Sequence, residues 1–242
     1  MRIPSAEQLV SAWEAGVGLP PTGRALELLA AGEPETPRRV LASLTIGQRD
    51  RRLLHLRAAI FGPTLDATVV CTACATRVEF AMELARLLVT EQDVPARTAV
   101  DVDGVAWELR LPTSDDLLRI ADAPLDAAAL ALLERCITPP DASPTHPSSA
   151  SLTGAVRGFL AAKMAELDPQ ADIQLSVSCP ACGHAWLSEF DVVSYFWAEL
   201  TWWVRRLLLD VHRLASAYGW GQAEIIAMSR QRRAAYLELI GA

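Results

Sequence analysis

Residues 65–80 read LDATVVCTACATRVEF, and residues 173–190 read IQLSVSCPACGHAWLSEF. Each stretch carries a pair of cysteines two residues apart, Cys71 with Cys74 and Cys179 with Cys182, at the tip of what reads as strand, knuckle, strand. The two-residue gap lets both thiolates of one tight turn face a common point. Two such turns complete a tetrahedral sulfur shell at about 2.3 Å from a metal ion. Gly183, directly behind the second pair, supplies the open backbone that a knuckle favours. Four of the five cysteines are used in these two identical spacings, which predicts one structural zinc per chain held by Cys71, Cys74, Cys179 and Cys182. A shell filled by four thiolates has no position for water, so hydrolytic zinc chemistry is not expected.

The segment between the pairs, 75–178, is long for a ribbon. Closure entropy, however, grows by only about 0.6 kcal/mol per doubling of loop length, against ~10 kcal/mol or more for binding a structural zinc. A thioredoxin-like dithiol would place one pair at the start of a helix, where the dipole lowers a thiol pKa, and neither pair has that setting. His184 is expected on the knuckle surface rather than as a ligand. Cys136, in an apolar helical run with Leu130, Leu132 and Leu133, is expected to be a small buried hydrophobe. His55, His146 and His212 are scattered, and neither a phosphate-cradling glycine loop nor a nucleophile elbow is found. No catalytic residue is assigned, and the chain reads as a non-enzyme.

Outward from the knuckles the pattern becomes helical. In an N-terminal helical region, 1–64, Ser5 caps a short helix, Pro20 and Pro21 open a second, Pro34 and Pro37 break the chain, and an amphipathic helix starts at Thr45 and stops at Gly62-Pro63. A zinc-ribbon-like β module with a helical insertion, 65–190, adds an alternating segment at 100–111 around Asp103-Gly104, a two-residue hairpin signal. All three β units are expected to join one small sheet. The insertion should hold a helix capped by Ser114 and running to about Cys136, a Pro/Ser-rich loop over 138–151, and a helix over 152–167. A C-terminal helical region, 191–242, has a long helix, a short one after Gly219 and Gly221, and a last one capped by Ser229. The fold class is α+β and mostly helical, with a small antiparallel β zinc-ribbon-like module formed by the two knuckles and a hairpin.

A formal charge of −7 repels phosphate backbones on average. Asp66, Glu79, Asp172, Glu189 and Asp191 surround the knuckles, where a nucleic-acid-binding zinc ribbon would interleave basic and aromatic residues. That reading, or a regulatory one, is therefore the runner-up, and no nucleic acid is expected as partner. The most apolar span, 192–209, contains Glu199, Arg205 and Arg206, which are costly at a bilayer centre. With no secretory pattern at the N-terminus, the expectation is a cytoplasmic protein without membrane contact. Tyr195, Phe196, Trp197, Trp202 and Trp203 crowd one predicted helix more densely than a single buried face accommodates. Two readings stand equal, a helix sandwiched within the domain core and a helix that meets a partner; on the second, the C-terminal region docks other proteins or another copy of the chain through Trp202, Trp203, Trp220, Tyr236, Arg232 and Arg233, with Arg230.

Three stretches together, LTIGQRDRRLLHLRAAIFGPTLDATVVCTAC (44–74), LRLPTSDDLLRIA (109–121) and LLLDVHRLASAYGWGQAEIIAMSRQRRAAYLELI (207–240), resemble a family of baseplate proteins from contractile-tailed phages and contractile injection systems, related to the myophage baseplate hub assembly chaperone. Ala75 stands where a glycine is common in the first knuckle, and shorter phage relatives lack the knuckles. The resemblance implies a protein that helps build a baseplate or hub, or joins one, with baseplate or hub proteins as partners and no chemistry of its own. Oligomers are compatible with it.

Overall fold

The computed structural model describes residues 1–90, 95–102, 105–138 and 153–241. The Asp103-Gly104 turn, His146 and all but the first residue of the Pro/Ser-rich segment 138–151 lie outside the described residues.

Helix α1 (Ala6–Gly16) starts in a full capping box: Ser5 Oγ accepts from the Gln8 amide, and the Gln8 side chain accepts from the Ser5 amide. Proline at the first position opens α2 (Pro21–Gly32), and Pro37 precedes the short α3 (Arg38–Ala42). Thr45 and Gln48 form a second capping box for α4 (Ile46–Phe61), which ends at Gly62 with φ of 98°. Strands β1 (Thr64–Val70) and β2 (Arg77–Glu83) pair antiparallel across the first knuckle. Then come β3 (Thr98–Val102), β4 (Val105–Leu109), α5 (Ser114–Arg119), α6 (Leu125–Cys136), β5 (Ile137–Thr138) and α7 (Gly154–Leu167). Strands β6 (Gln174–Ser178) and β7 (Ala185–Glu189) flank the second knuckle, followed by α8 (Val192–Tyr218), α9 (Gln222–Ala227) and α10 (Arg230–Gly241). Gly219, left-handed at φ 72°, closes α8, and Ser229 Oγ accepts from the Arg232 amide at the start of α10, as the sequence suggested.

The fold class is α+β and mostly helical with small antiparallel sheets. Two details differ from expectation. The β units form three sheets, β1-β2, β3-β4-β5 and β6-β7, rather than one. Each hairpin satisfies its ladder locally, and the β3-β4 hairpin has its own apolar face: Val100, Trp107 and Leu109 pack on Leu133, Ile137 and Leu160 of the insertion. The helix expected from Ser114 to Cys136 is two helices. Thr113, not Ser114, is the cap, because its hydroxyl reaches the Asp116 amide while the Asp116 carboxylate returns to the Thr113 amide. Pro124, which lacks an N–H, separates α5 from α6.

The main core gathers Leu26, Leu28 and Leu29 of α2, Leu53, Leu54 and Leu56 of α4, and Phe196, Leu200 and Val204 of α8, all buried. The two ends of the chain thus share one core. Arg57 ties it to the first knuckle hairpin. Its guanidinium binds both Glu199 oxygens at 2.7 and 2.6 Å and also donates to the carbonyls of Gly62 and Thr64. Tyr195 adds a hydrogen bond from its hydroxyl to the Asp66 carbonyl at 2.9 Å.

Candidate metal centre

The two knuckles repeat one backbone pattern. In the first, Cys71 N–H donates to the Thr76 carbonyl and Ala75 N–H to the Cys71 carbonyl, both at 2.9 Å. In the second, Cys179 N–H donates to the His184 carbonyl at 2.8 Å and Gly183 N–H to the Cys179 carbonyl at 2.9 Å. Both turns need a left-handed residue just after the second cysteine. Gly183 takes φ 74° without a Cβ penalty, and Ala75 takes φ 57°, the one non-glycine residue with positive φ among those described.

These turns bring all four sulfurs together, within 4.8 Å of one another. Cys71 Sγ is 3.7 Å from Cys182 Sγ, and Cys74 Sγ is 3.6 Å from Cys179 Sγ. Four sulfurs at 2.3 Å from a central ion stand about 3.8 Å apart along a tetrahedral edge, whereas a disulfide would need ~2.05 Å. The four thiols are therefore close enough together to hold one metal ion. Cys71 and Cys179 are buried among Val78, Val177 and the part-buried Phe80 and Trp186, while Cys74 and Cys182 face outward.

The electrostatics show what a cation would supply. The Cys74 thiol is lowered to about 6, first through its side-chain hydrogen bond with Thr76, 3.2 Å away, and then through the Thr76 backbone. The Cys182 thiol is pushed up to about 12. The His184 backbone acts to lower it, but the neighbouring sulfurs of Cys74, Cys179 and Cys71, together with desolvation, outweigh that. Hydrogen bonds within the cluster thus favour a thiolate at Cys74 and keep the proton on Cys182, a proton that a divalent cation would replace.

His184 is exposed and is not among the converging ligands. Its Nε2 lies 3.1 Å from Thr72 Oγ1 and its ring stacks on Trp186, so it links the two knuckles from outside. Neither Thr72 nor Thr76 was singled out from the sequence, where only proximity to a cysteine marks them. Cys136 is buried away from the cluster, and desolvation raises its thiol to about 11. Asp116, which the sequence marks with Asp115 as an acid suited to a helix start, is also 2% exposed, and its carboxylate binds Arg110 at 2.6 and 2.8 Å and Arg135 at 2.9 Å, a pairing the sequence does not signal. Burial alone would raise this carboxyl, but the hydrogen bonds from Arg110 and Thr113 hold it well below the usual carboxylate range.

The residues assigned to a partner surface fall into distinct environments. Trp202 is 64% exposed and Arg232 is exposed. Trp203 is half-buried against the main core. Trp220 stacks on Tyr218 at 4.5 Å and meets the edge of Tyr236 at 4.8 Å, forming a small cluster beside Val211, Leu214 and Ile225. Arg233, expected at the rim of a contact, is instead turned inward and donates to the carbonyls of Met228 and Ile226 at 2.5 and 3.5 Å. The extended backbone at Met228 leaves those last carbonyls of α9 without helical partners.

Among the described residues no helix is long and apolar enough to cross a membrane. No curated protein and no solved structure matches the chain. A family model does match, the one described as T4 bacteriophage base plate protein, over residues 29–139. That span runs from the end of α2 past β5 and includes the first knuckle but not the second. The resemblance to a phage baseplate protein family, carried by the motifs of α4, the first knuckle and α5, is borne out over this segment.

Proposed function

We propose that this chain is a non-enzymatic baseplate or hub assembly protein, or a structural component, of a contractile phage tail or contractile injection system, related to the hub assembly chaperone of myophages. The observation that carries the reading is the match of residues 29–139 to the base plate family. In this reading the protein is made in the cytoplasm, binds baseplate or hub proteins and enters a tail-like particle. One structural zinc, held by Cys71, Cys74, Cys179 and Cys182, ties the segments at the two ends of the insertion to one point. The sulfur spacing supports a tetrahedral ion, and four thiolates favour zinc among common cytosolic ions.

Contact with tail components is assigned to the C-terminal helices. Val211, Leu214 and Ile225 form a cluster distinct from the main core, so a chain ending before Asp210 should fold and keep its metal. The test is a pull-down of baseplate proteins from the cognate system with the full chain and with this truncation. Loss of binding by a folded, metal-loaded truncation supports the reading. Undiminished binding, or a truncation that does not fold, removes the partner assignment, and failure of the full chain to bind any tail protein removes the reading itself.

A further inference from the structure

The outward face of α8 is unusual for this chain. Residues Trp202, Arg206, Leu209 and Arg213 follow one another at spacings of four, three and four, a straight stripe along the side opposite Leu200, Val204, Leu207 and Val211. Trp202 is 64% and Leu209 48% exposed, and Arg206 lies over the Trp202 ring at 5.7 Å. Arg205 and His212 flank the stripe on one side; on the other stand Glu199, which is bound to Arg57, and the half-buried Asp210. Residues 192–242 carry six arginines against four acids and are net +2, which leaves −9 on the rest of the chain.

A surface of opposite character lies between α1 and α9. A groove of about 730 Å³ is lined by Val10, Ile226 and Met228 together with polar Ser5, Ser11 and Gln222, with Glu7 and Glu14 on its α1 side. Both glutamates are exposed, and neither makes an ion pair among the described residues. They are seven residues apart on α1, about 10 Å along the axis. Arg206 and Arg213 have the same seven-residue separation on α8, as do Trp202 and Leu209. Two helices laid side by side could therefore satisfy both charge pairs at once and bring the Trp202–Leu209 ridge over Ile226 and Met228.

We infer that a second copy of this chain docks here, the α8 stripe of one molecule seating in the α1/α9 groove of the next. The two surfaces differ, so the contact is head-to-tail and repeats until a ring closes or the assembly stays open. The opposite charges speed encounter and set register, while burial of Trp202 supplies the anchor. A polyanion is the less suitable occupant of the stripe, because the remaining −9 of the chain opposes it. The inference is independent of the tail-assembly reading, since it concerns the purified chain alone.

Sedimentation velocity on the metal-loaded full chain tests it. The mass should rise above the 26.2 kDa of one chain as concentration approaches about 100 µM at low salt, and should fall back when salt shortens the screening length to ~3–4 Å. Arg206→Glu/Arg213→Glu, which disables the stripe, and Glu7→Arg/Glu14→Arg, which disables the groove, should each be monomeric with unchanged circular dichroism. Mixed in equal amounts, they should associate again, because each stripe then meets a groove of opposite charge on the other variant. Trp202→Ala should weaken wild-type association by roughly tenfold or more. A wild-type chain monomeric throughout, variants that still associate alone, or an equimolar mixture that stays monomeric overturns the proposal.

Discussion

The knuckle module and the helical core are held together in different ways. The helical core buries leucines from α2 and α4 against α8, and its cohesion is spread over many side chains that each remove apolar area from water. The cluster at the knuckles buries Cys71, Val78, Val177 and Cys179, so half of it consists of the proposed ligands themselves, while Leu65 of β1 reaches the main core instead. Val70 at 60% and Leu187 at 68% exposure show how little of these hairpins is covered. A two-stranded hairpin is marginal in water, and two of them facing each other across four sulfurs remain so unless a metal joins them. Cohesion can thus be distributed or concentrated at a point, and the two respond differently to change.

The largest effect should come from removing that point. Under reducing conditions a strong chelator, or Cys179→Ala, should abolish amide protection in β1, β2, β6 and β7 and lower the melting temperature, while far-UV helicity largely remains. Metal binding worth ~10 kcal/mol or more sets the scale. Elemental analysis should find one zinc per chain, and Cys136→Ser should not change it. Less than about half an equivalent, or an unchanged melting temperature after verified metal removal, would contradict a structural zinc.

Leu200→Ala should have the opposite profile. This side chain is fully buried between helices, so about 2–5 kcal/mol of global stability should be lost in denaturant unfolding, with metal content intact. If it also releases the metal, the two regions are one cooperative unit and the contrast fails.

Asp116 sharpens the comparison on the insertion, away from both. Its folded pKa is lowered, so its contribution is present above the unfolded carboxylate value of about 3.9 and is lost as pH falls through the folded value. Asp116→Asn should cost about 1–3 kcal/mol near neutrality, and its difference from wild type should shrink steadily in acid. A constant difference across that pH range would show that the carboxylate charge is not what Arg110 and Arg135 hold.

The smallest change should be a gain. Ala75→Gly removes the left-handed penalty at φ 57° and should stabilise the metal-loaded module by up to about 1 kcal/mol, whereas Gly183→Ala should cost about as much. Equal or reversed effects would mean that the two knuckles do not share the geometry their hydrogen bonds suggest.

Local chemistry was legible in the chain before any fold was known. The cap at Ser5, the helix start at Thr45, the stops at Gly62 and Gly219, the hairpins around each cysteine pair and the buried state of Cys136 all follow from residues within a few positions of one another. The equal spacing of the two pairs also pointed to a shared four-sulfur site across more than a hundred residues, because thiolates at that spacing suit one ion and little else. Tertiary structure decided what depends on distant packing. It separated the β units into three sheets, turned Arg233 inward onto α9, gave Asp116 its two arginines, and joined α2 and α4 to α8 in one core. Apolar periodicity marks which face of a helix is buried but carries no address for its partner. That address is set by the shapes of the packed faces and by which polar groups would otherwise be left buried without a bond.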